Sequence, residues 1–126
     1  MRPLSESAAE LERCAHLCHE CQDECLRLIR HCLEKGGPHA GAEHIGVLMD
    51  CVVICGASHS LLHRSSPLHA ETCRACAAIC DACAADCERL AGEDREMSKC
   101  AEMCRRCAES CRQMSVGNHG AGGRMH

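Results

Sequence analysis

The sequence contains no phenylalanine, tyrosine or tryptophan, and leucine, isoleucine and valine together supply only 19 of its 126 residues. So little bulky apolar volume excludes an ordinary hydrocarbon core. Composition alone leans towards disorder, although the formal net charge of -4 is mild. There is no basic run, and 18 acidic residues outnumber 14 basic ones, which makes nucleic acid and anionic membrane poor partners. The opening MRPLSESAAELERC has no apolar stretch of signal-peptide length and no twin arginine, and no apolar span of 18 residues is evident. The expectation is a single soluble domain in the cytoplasm.

What the chain has instead is cysteine, sixteen in all. In the stretch CRACAAICDACAADC, Cys73, Cys76, Cys80, Cys83 and Cys87 follow one another at steps of 3, 4, 3 and 4. At 3.6 residues per turn these sulfurs stay within an arc of about 80° on one helix face, whereas a strand would scatter them over both faces of a sheet. Free cysteine behaves as a small buried hydrophobe, so a thiol stripe can take the place of leucines in a core.

The same rhythm divides the chain into four predicted helices. The first starts at the capping box Ser7-Ala8-Ala9-Glu10 and stops at Gly36-Gly37-Pro38. Its Cys14, Cys18, Cys21, Cys25 and Cys32 lie within about 60° of one another, flanked by Leu11, Leu28 and Ile29. A second helix over residues 42–63 carries Cys51 and Cys55. The third has Ser66 as N-cap and Pro67 at its first position, and ends at Ala91-Gly92. The fourth, over residues 93–115, carries Cys100, Cys104, Cys107 and Cys111. Short links between helices of this length predict an all-α, up-down-up-down four-helix bundle over residues 1–115 with cysteines lining its core. Residues 116–126, VGNHGAGGRMH, read as a disordered tail containing glycine and histidine.

In a reducing cytosol such cysteines are thiols or metal thiolates, and disulfides between i and i+4 on one helix have unsuitable geometry. Thiolates are soft ligands that select Cu(I), zinc or iron–sulfur clusters. Charge separates these. Sixteen buried thiolates are neutralised by one Cu(I) each, while four zinc ions on sites of four cysteines leave -8 in a dry interior. Cu(I) also accepts two or three sulfurs, which suits a continuous ladder; zinc wants discrete sets of four, and the spacing marks none out. The competing readings are zinc buffering, a thiol redox protein, which lacks its βαβ context here, iron–sulfur binding, which lacks a close C-x2-C-x2-C run, and a purely structural cysteine core.

The C-x3-C and C-x2-C rhythm on three helices, with Cys51-x3-Cys55 on the remaining one, resembles the cytosolic copper storage proteins over residues 8–115. That resemblance implies a four-helix bundle holding many Cu(I) ions, no catalysis and a homotetramer. In the family, histidines near the start of the fourth helix often line the mouth through which copper enters. Here the link LAGEDREMSK has none and offers Glu93, Asp94, Glu96 and Met97. One end of the bundle should gather Cys32, His44, Cys87 and Met97, so His44 is the candidate additional ligand, with Asp50 as its acidic neighbour. The other end should hold His59 and His69 near Cys14, Cys73 and Cys111. His16, His19 and His31 point away from the thiols, and Met97, Met103 and Met114 read as core filler.

The second helix is apolar on more of its circumference than one core face needs. Val47, Leu48, Cys55 and Leu62 fall on the side of Cys51. Ile45, Met49, Val52, Val53 and Gly56 form a second stripe between about 100° and 200° away, expected to meet another subunit, with Gly56 allowing a close approach.

Overall fold

A computed structural model describes residues 4–115, with side chains from residue 8 onward; the Ser7 side chain and the predicted tail 116–126 lie outside the described residues. The chain forms α1 (Leu4–Lys35), a 3-10 turn (Gly37–Ala40), α2 (Ala42–His63), α3 (His69–Ala91) and α4 (Arg95–Ser115). Each helix packs against its neighbours in sequence and α4 closes the ring on α1. Sulfur pairs give the directions: Cys14 and Cys25 of α1 meet Cys111 and Cys100 of α4, so one chain direction rises as the other falls. Cys51 and Cys55 of α2 likewise meet Cys80 and Cys76 of α3. The bundle is up-down-up-down, as the short links between the helices predict.

All sixteen cysteines are buried, and the remaining core consists of few large side chains, chiefly Leu28, Leu48, Leu62, Met97, Met103 and Met114. Alanines beside the cysteines, Ala77 and Ala84 on α3 and Ala101 and Ala108 on α4, are buried with them. Small residues at these positions let the helices approach until sulfur meets sulfur.

The helix ends differ from the sequence reading in three places. The first helix begins at Leu4, so Ser7 lies inside it; Leu4, Glu6, Ala8 and Ala9 are good helix formers and nothing stops the extra turn. The third begins at His69, because Ser66 caps a preceding turn instead: its Oγ accepts from the Leu68 N–H at 3.1 Å and its carbonyl from the His69 N–H at 3.2 Å. The fourth begins at Arg95 because Asp94 is its N-cap, with Oδ1 accepting from the backbone N–H of Glu96 at 3.0 Å and of Met97 at 3.3 Å. At the end of α1, Gly36 turns to φ 75° and donates its N–H to the Cys32 carbonyl at 3.0 Å, which is why the helix stops there.

Helix α2 also corrects two expectations. With Glu43 and Asp50 as its only Asp, Glu, Lys or Arg residues, it is long and apolar enough to cross a membrane by length and composition. In the bundle it gives Leu48, Cys51, Cys55 and Leu62 to the core. Of its second stripe, Met49 and Val53 are exposed, at 48% and 68%, while Ile45 and Val52 pack partly on the core. Gly56 faces α1 rather than outward. A Cβ there would meet the Gln22 side chain at 2.4 Å, and Gln22 uses the space to donate to the Val52 carbonyl at 3.1 Å.

Candidate metal centre

The helical stripes converge on the bundle axis as a column of sulfur pairs. Cys18 with Cys111 is followed by Cys76 with Cys107, then Cys55 with Cys80, Cys21 with Cys51, and Cys25 with Cys104. Each consecutive two pairs form a group of four thiols whose sulfurs all lie within 4.8 Å of one another, and neighbouring groups share a pair. Individual contacts run from 3.6 Å, for Cys18–Cys111 and Cys51–Cys80, to 4.0 Å for Cys21–Cys51. At one end the column finishes in the triplet Cys14, Cys73 and Cys111. Cys32, Cys83, Cys87 and Cys100 lie towards the other end, where Cys100 is 3.8 Å from Cys25 and Cys83 also interacts with Cys104 and Cys25 of the column. No disulfide is present among these cysteines.

This geometry corrects the expectation that the ladder marks out no four-sulfur sets. A tetrahedral Zn–S bond of about 2.3 Å places sulfurs about 3.8 Å apart, which the column matches. Because adjacent groups share two sulfurs, however, ions that each demand four sulfurs of their own can fill only alternate groups. An ion content with bridging thiolates can use the whole column.

Proton affinity within the column is organised by sharing. In the pair Cys107 and Cys111, an S–H from Cys111 stabilises the Cys107 thiolate and lowers its pKa, while Cys111 is pushed up in turn. Cys51 is lowered in the same way by Cys104, and Cys104 is raised. Burial opposes charge throughout, so the thiols cannot all ionise without a cation. Cys32 stands apart: burial, then the nearby Asp94 carboxylate, pushes its thiol up to about 11.

The end near Cys32 carries different chemistry. His44 is only 2% exposed, with Nε2 3.4 Å from the Cys32 sulfur and Nδ1 2.7 Å from Asp86 Oδ2. Since the carboxylate accepts, Nδ1 holds the proton and the Nε2 lone pair faces Cys32. Burial would raise the Asp86 carboxyl, but Arg89 at 2.6 Å and His44 together hold it below its usual range. The Cys32 sulfur also lies 3.6 Å from Met97 Sδ, so its one S–H is shared between the imidazole and the thioether. A thiol, an imidazole and a thioether thus converge from three helices. The acidic partner of His44 is Asp86, not Asp50, which is exposed. Asp86 precedes Cys87 on α3, and pairing it with His44 requires the relative rotation of α2 and α3. Met97 lies in this contact rather than serving as filler alone, while Met103 and Met114 are buried core residues. His16 and His19 are on the outside, as predicted, and His31 turns to Asp94 at 2.8 Å. At the far end, His69 is buried beside the turn that precedes α3.

A helical bundle whose interior is a continuous column of thiols is a soft-metal-binding arrangement. The sequence family described as copper storage protein matches residues 7–116, and the chain belongs to that family. It is similar in structure to a protein of Nitrosospira multiformis, with 42% identity, a TM-score of 0.79, and coverage of 85% of this chain and 95% of that one. The Cu(I)-bound form of a Bacillus copper storage protein is 31% identical, with a TM-score of 0.78 over 85% of this chain and 99% of that one. A cytosolic copper storage protein from Streptomyces lividans, loaded with five coppers, is 28% identical, with a TM-score of 0.80 over 90% of this chain and 98% of that one. No curated protein sequence matches the chain.

Proposed function

We propose that the chain stores Cu(I) as thiolate clusters among its sixteen buried cysteines, without catalysis, in the cytoplasm. The observation that carries this reading is the column itself, in which consecutive sulfur pairs share their groups of four. Sequential sharing of sulfurs suits an ion that accepts two or three ligands and bridging, and one Cu(I) per thiolate cancels the charge that burial otherwise forbids. Zinc fits the spacing but leaves net negative charge at every four-sulfur site, in a core where the helical N–H groups are already used.

All sixteen cysteines are metal ligands in this reading, and Cys32, His44 and Met97 form the capture point through which copper enters. Asp86 orients His44 and keeps its Nε2 available. Met97 supplies a soft donor at the start of α4, where the family resemblance leads one to expect histidine. Transfer inward is then a handover from Cys32 and its neighbours to the column at Cys25 and Cys100.

The chain further assembles as a homotetramer through the outer side of α2, where exposed Met49 and Val53 would otherwise face water. Copper uptake is tested by proton release. Because an ordinary thiol, with a pKa of about 8.5, is protonated at neutral pH, Cu(I) binding should liberate protons, approaching about one per ion. Loading should also raise the melting temperature, since only the folded state has the assembled column. Copper uptake with no proton release, or with no thermal stabilisation, would contradict a site in the core.

A further inference from the structure

A second group of metal-ligating side chains lies outside the thiol column, where α1 and α2 face each other towards the Cys14 end. His59 and His63 are one turn apart on α2, with ring centroids 5.5 Å apart and planes 13° from parallel. His19 of α1 brings a third ring to within 5.1 Å of His59. A surface groove of about 270 Å³ beside them is lined by Glu12, Ala15, His16, His59 and His63. Three imidazoles and a carboxylate from two helices therefore border one small volume, with the His19 ring beside His59.

The anchor of this group is already oriented. His59 Nδ1 lies 3.0 Å from the Ala15 carbonyl oxygen. A carbonyl can only accept, so Nδ1 carries the hydrogen and the Nε2 lone pair is left for a ligand. Metal-binding histidines are commonly fixed in this way by a partner on the other nitrogen. The His59-x3-His63 spacing is the one by which helices present two imidazoles to a single zinc ion. His16, His19 and His63 are exposed and free to turn onto an ion. Glu20 at 3.1 Å from His16 and Asp23 at 3.9 Å from His19 add negative charge around the site.

We propose that this face binds one divalent cation of the zinc class, with His59 and His63 as the chelating pair and an α1 imidazole, His16 or His19, completing the set. Imidazole favours such borderline ions, whereas the soft thiol column favours Cu(I), so the two sites divide metals by ligand type. His59 and His63 lie about 80° to 120° round α2 from Val53, so assembly through Val53 leaves them accessible.

The test uses protein first saturated with Cu(I), so that its thiols are occupied, and titrates it anaerobically with Zn2+ by calorimetry while copper content is monitored. One Zn2+ per chain is expected without copper loss. His63→Ala, and separately the double change His16→Ala with His19→Ala, should weaken binding by about tenfold or more, whereas His31→Ala at the other end should not. These are surface positions, and helicity by circular dichroism confirms folding of each variant. Absence of saturable Zn2+ binding, binding of equal strength in His63→Ala, or Zn2+ uptake matched by copper release would each overturn the proposal.

Discussion

Asp94 joins two interactions that a pair of substitutions can separate. Its Oδ1 caps α4 through the Glu96 and Met97 amides. Its Oδ2 receives His31 at 2.8 Å and Lys35 at 3.0 Å from α1, with His39 of the 3-10 turn 3.4 Å away. The carboxylate is only 4% exposed, so these contacts fasten three segments around the Cys32 end. Asp94→Asn keeps an oxygen for the cap and loses the charge; Asp94→Ala loses both. An N-cap is worth about 1 kcal/mol, and hydrogen bonds to a charged group about 1.5–3 kcal/mol before discounting for the exposure of Lys35. The expectation is roughly 1 kcal/mol for Asn and 2–3 kcal/mol for Ala. For a domain of this size each kcal/mol moves the melting temperature by about 4 °C, giving drops of about 4 °C and 8–12 °C.

The assay is thermal unfolding of the reduced, copper-free protein followed by circular dichroism. Its pH dependence checks the cause. Burial alone would raise the Asp94 carboxyl, but His31, Lys35 and the Met97 amide hold it well below the usual carboxylate range. A depressed carboxyl contributes in full above its unfolded value, about 3.9, and the contribution is lost as pH falls through the lower folded value. The gap between wild type and Asp94→Asn should therefore be full at pH 5–6 and shrink below about pH 4. Equal damage from Asn and Ala, or a gap that persists unchanged into acid, would refute the division of roles. Copper capacity should be unchanged in both variants, because no sulfur moves.

Other substitutions probe the column, its mouth and its outer face. Cys51 touches Cys21, Cys55, Cys80 and Cys104, so Cys51→Ala should lower Cu(I) capacity by about one ion and cost the apo fold about 1 kcal/mol for the void, read by titration and denaturation. His44→Ala should slow copper loading and removal in stopped-flow measurements with little loss of capacity; if His59→Ala alone does so, copper enters at the other end. Val53→Glu should shift the mass seen by light scattering to smaller species with capacity per chain retained; a mutant that keeps its assembly, or a monomeric wild type at micromolar concentration, would remove α2 as the interface.

The column was legible in the sequence because cysteine spacing alone fixes which face of each helix turns inward, and every periodic cysteine is buried. The bounds of α2, residues 42–63, also came out as expected, with the Ser65-Ser66-Pro67 stretch closing the helix. What a single helix cannot reveal is the rotation of its neighbour. The gathering of Cys32, His44 and Met97 at one end was expected, but the Asp86–His44 pair and the packing of Gln22 against Gly56 depend on how two helices meet and differ from the reading based on one helix's period. The starts of α3 and α4 were misplaced because serine and aspartate serve turns and caps equally well: Ser66 shapes a turn, and Asp94 takes the cap.

The most direct test is native mass spectrometry of the fully reduced protein titrated with Cu(I), beside a parallel titration with Zn2+. The account predicts Cu(I) filling to about one ion per thiol, near sixteen per chain, with zinc in the core displaced by copper. Saturation near four ions, or zinc that copper cannot displace, would contradict it.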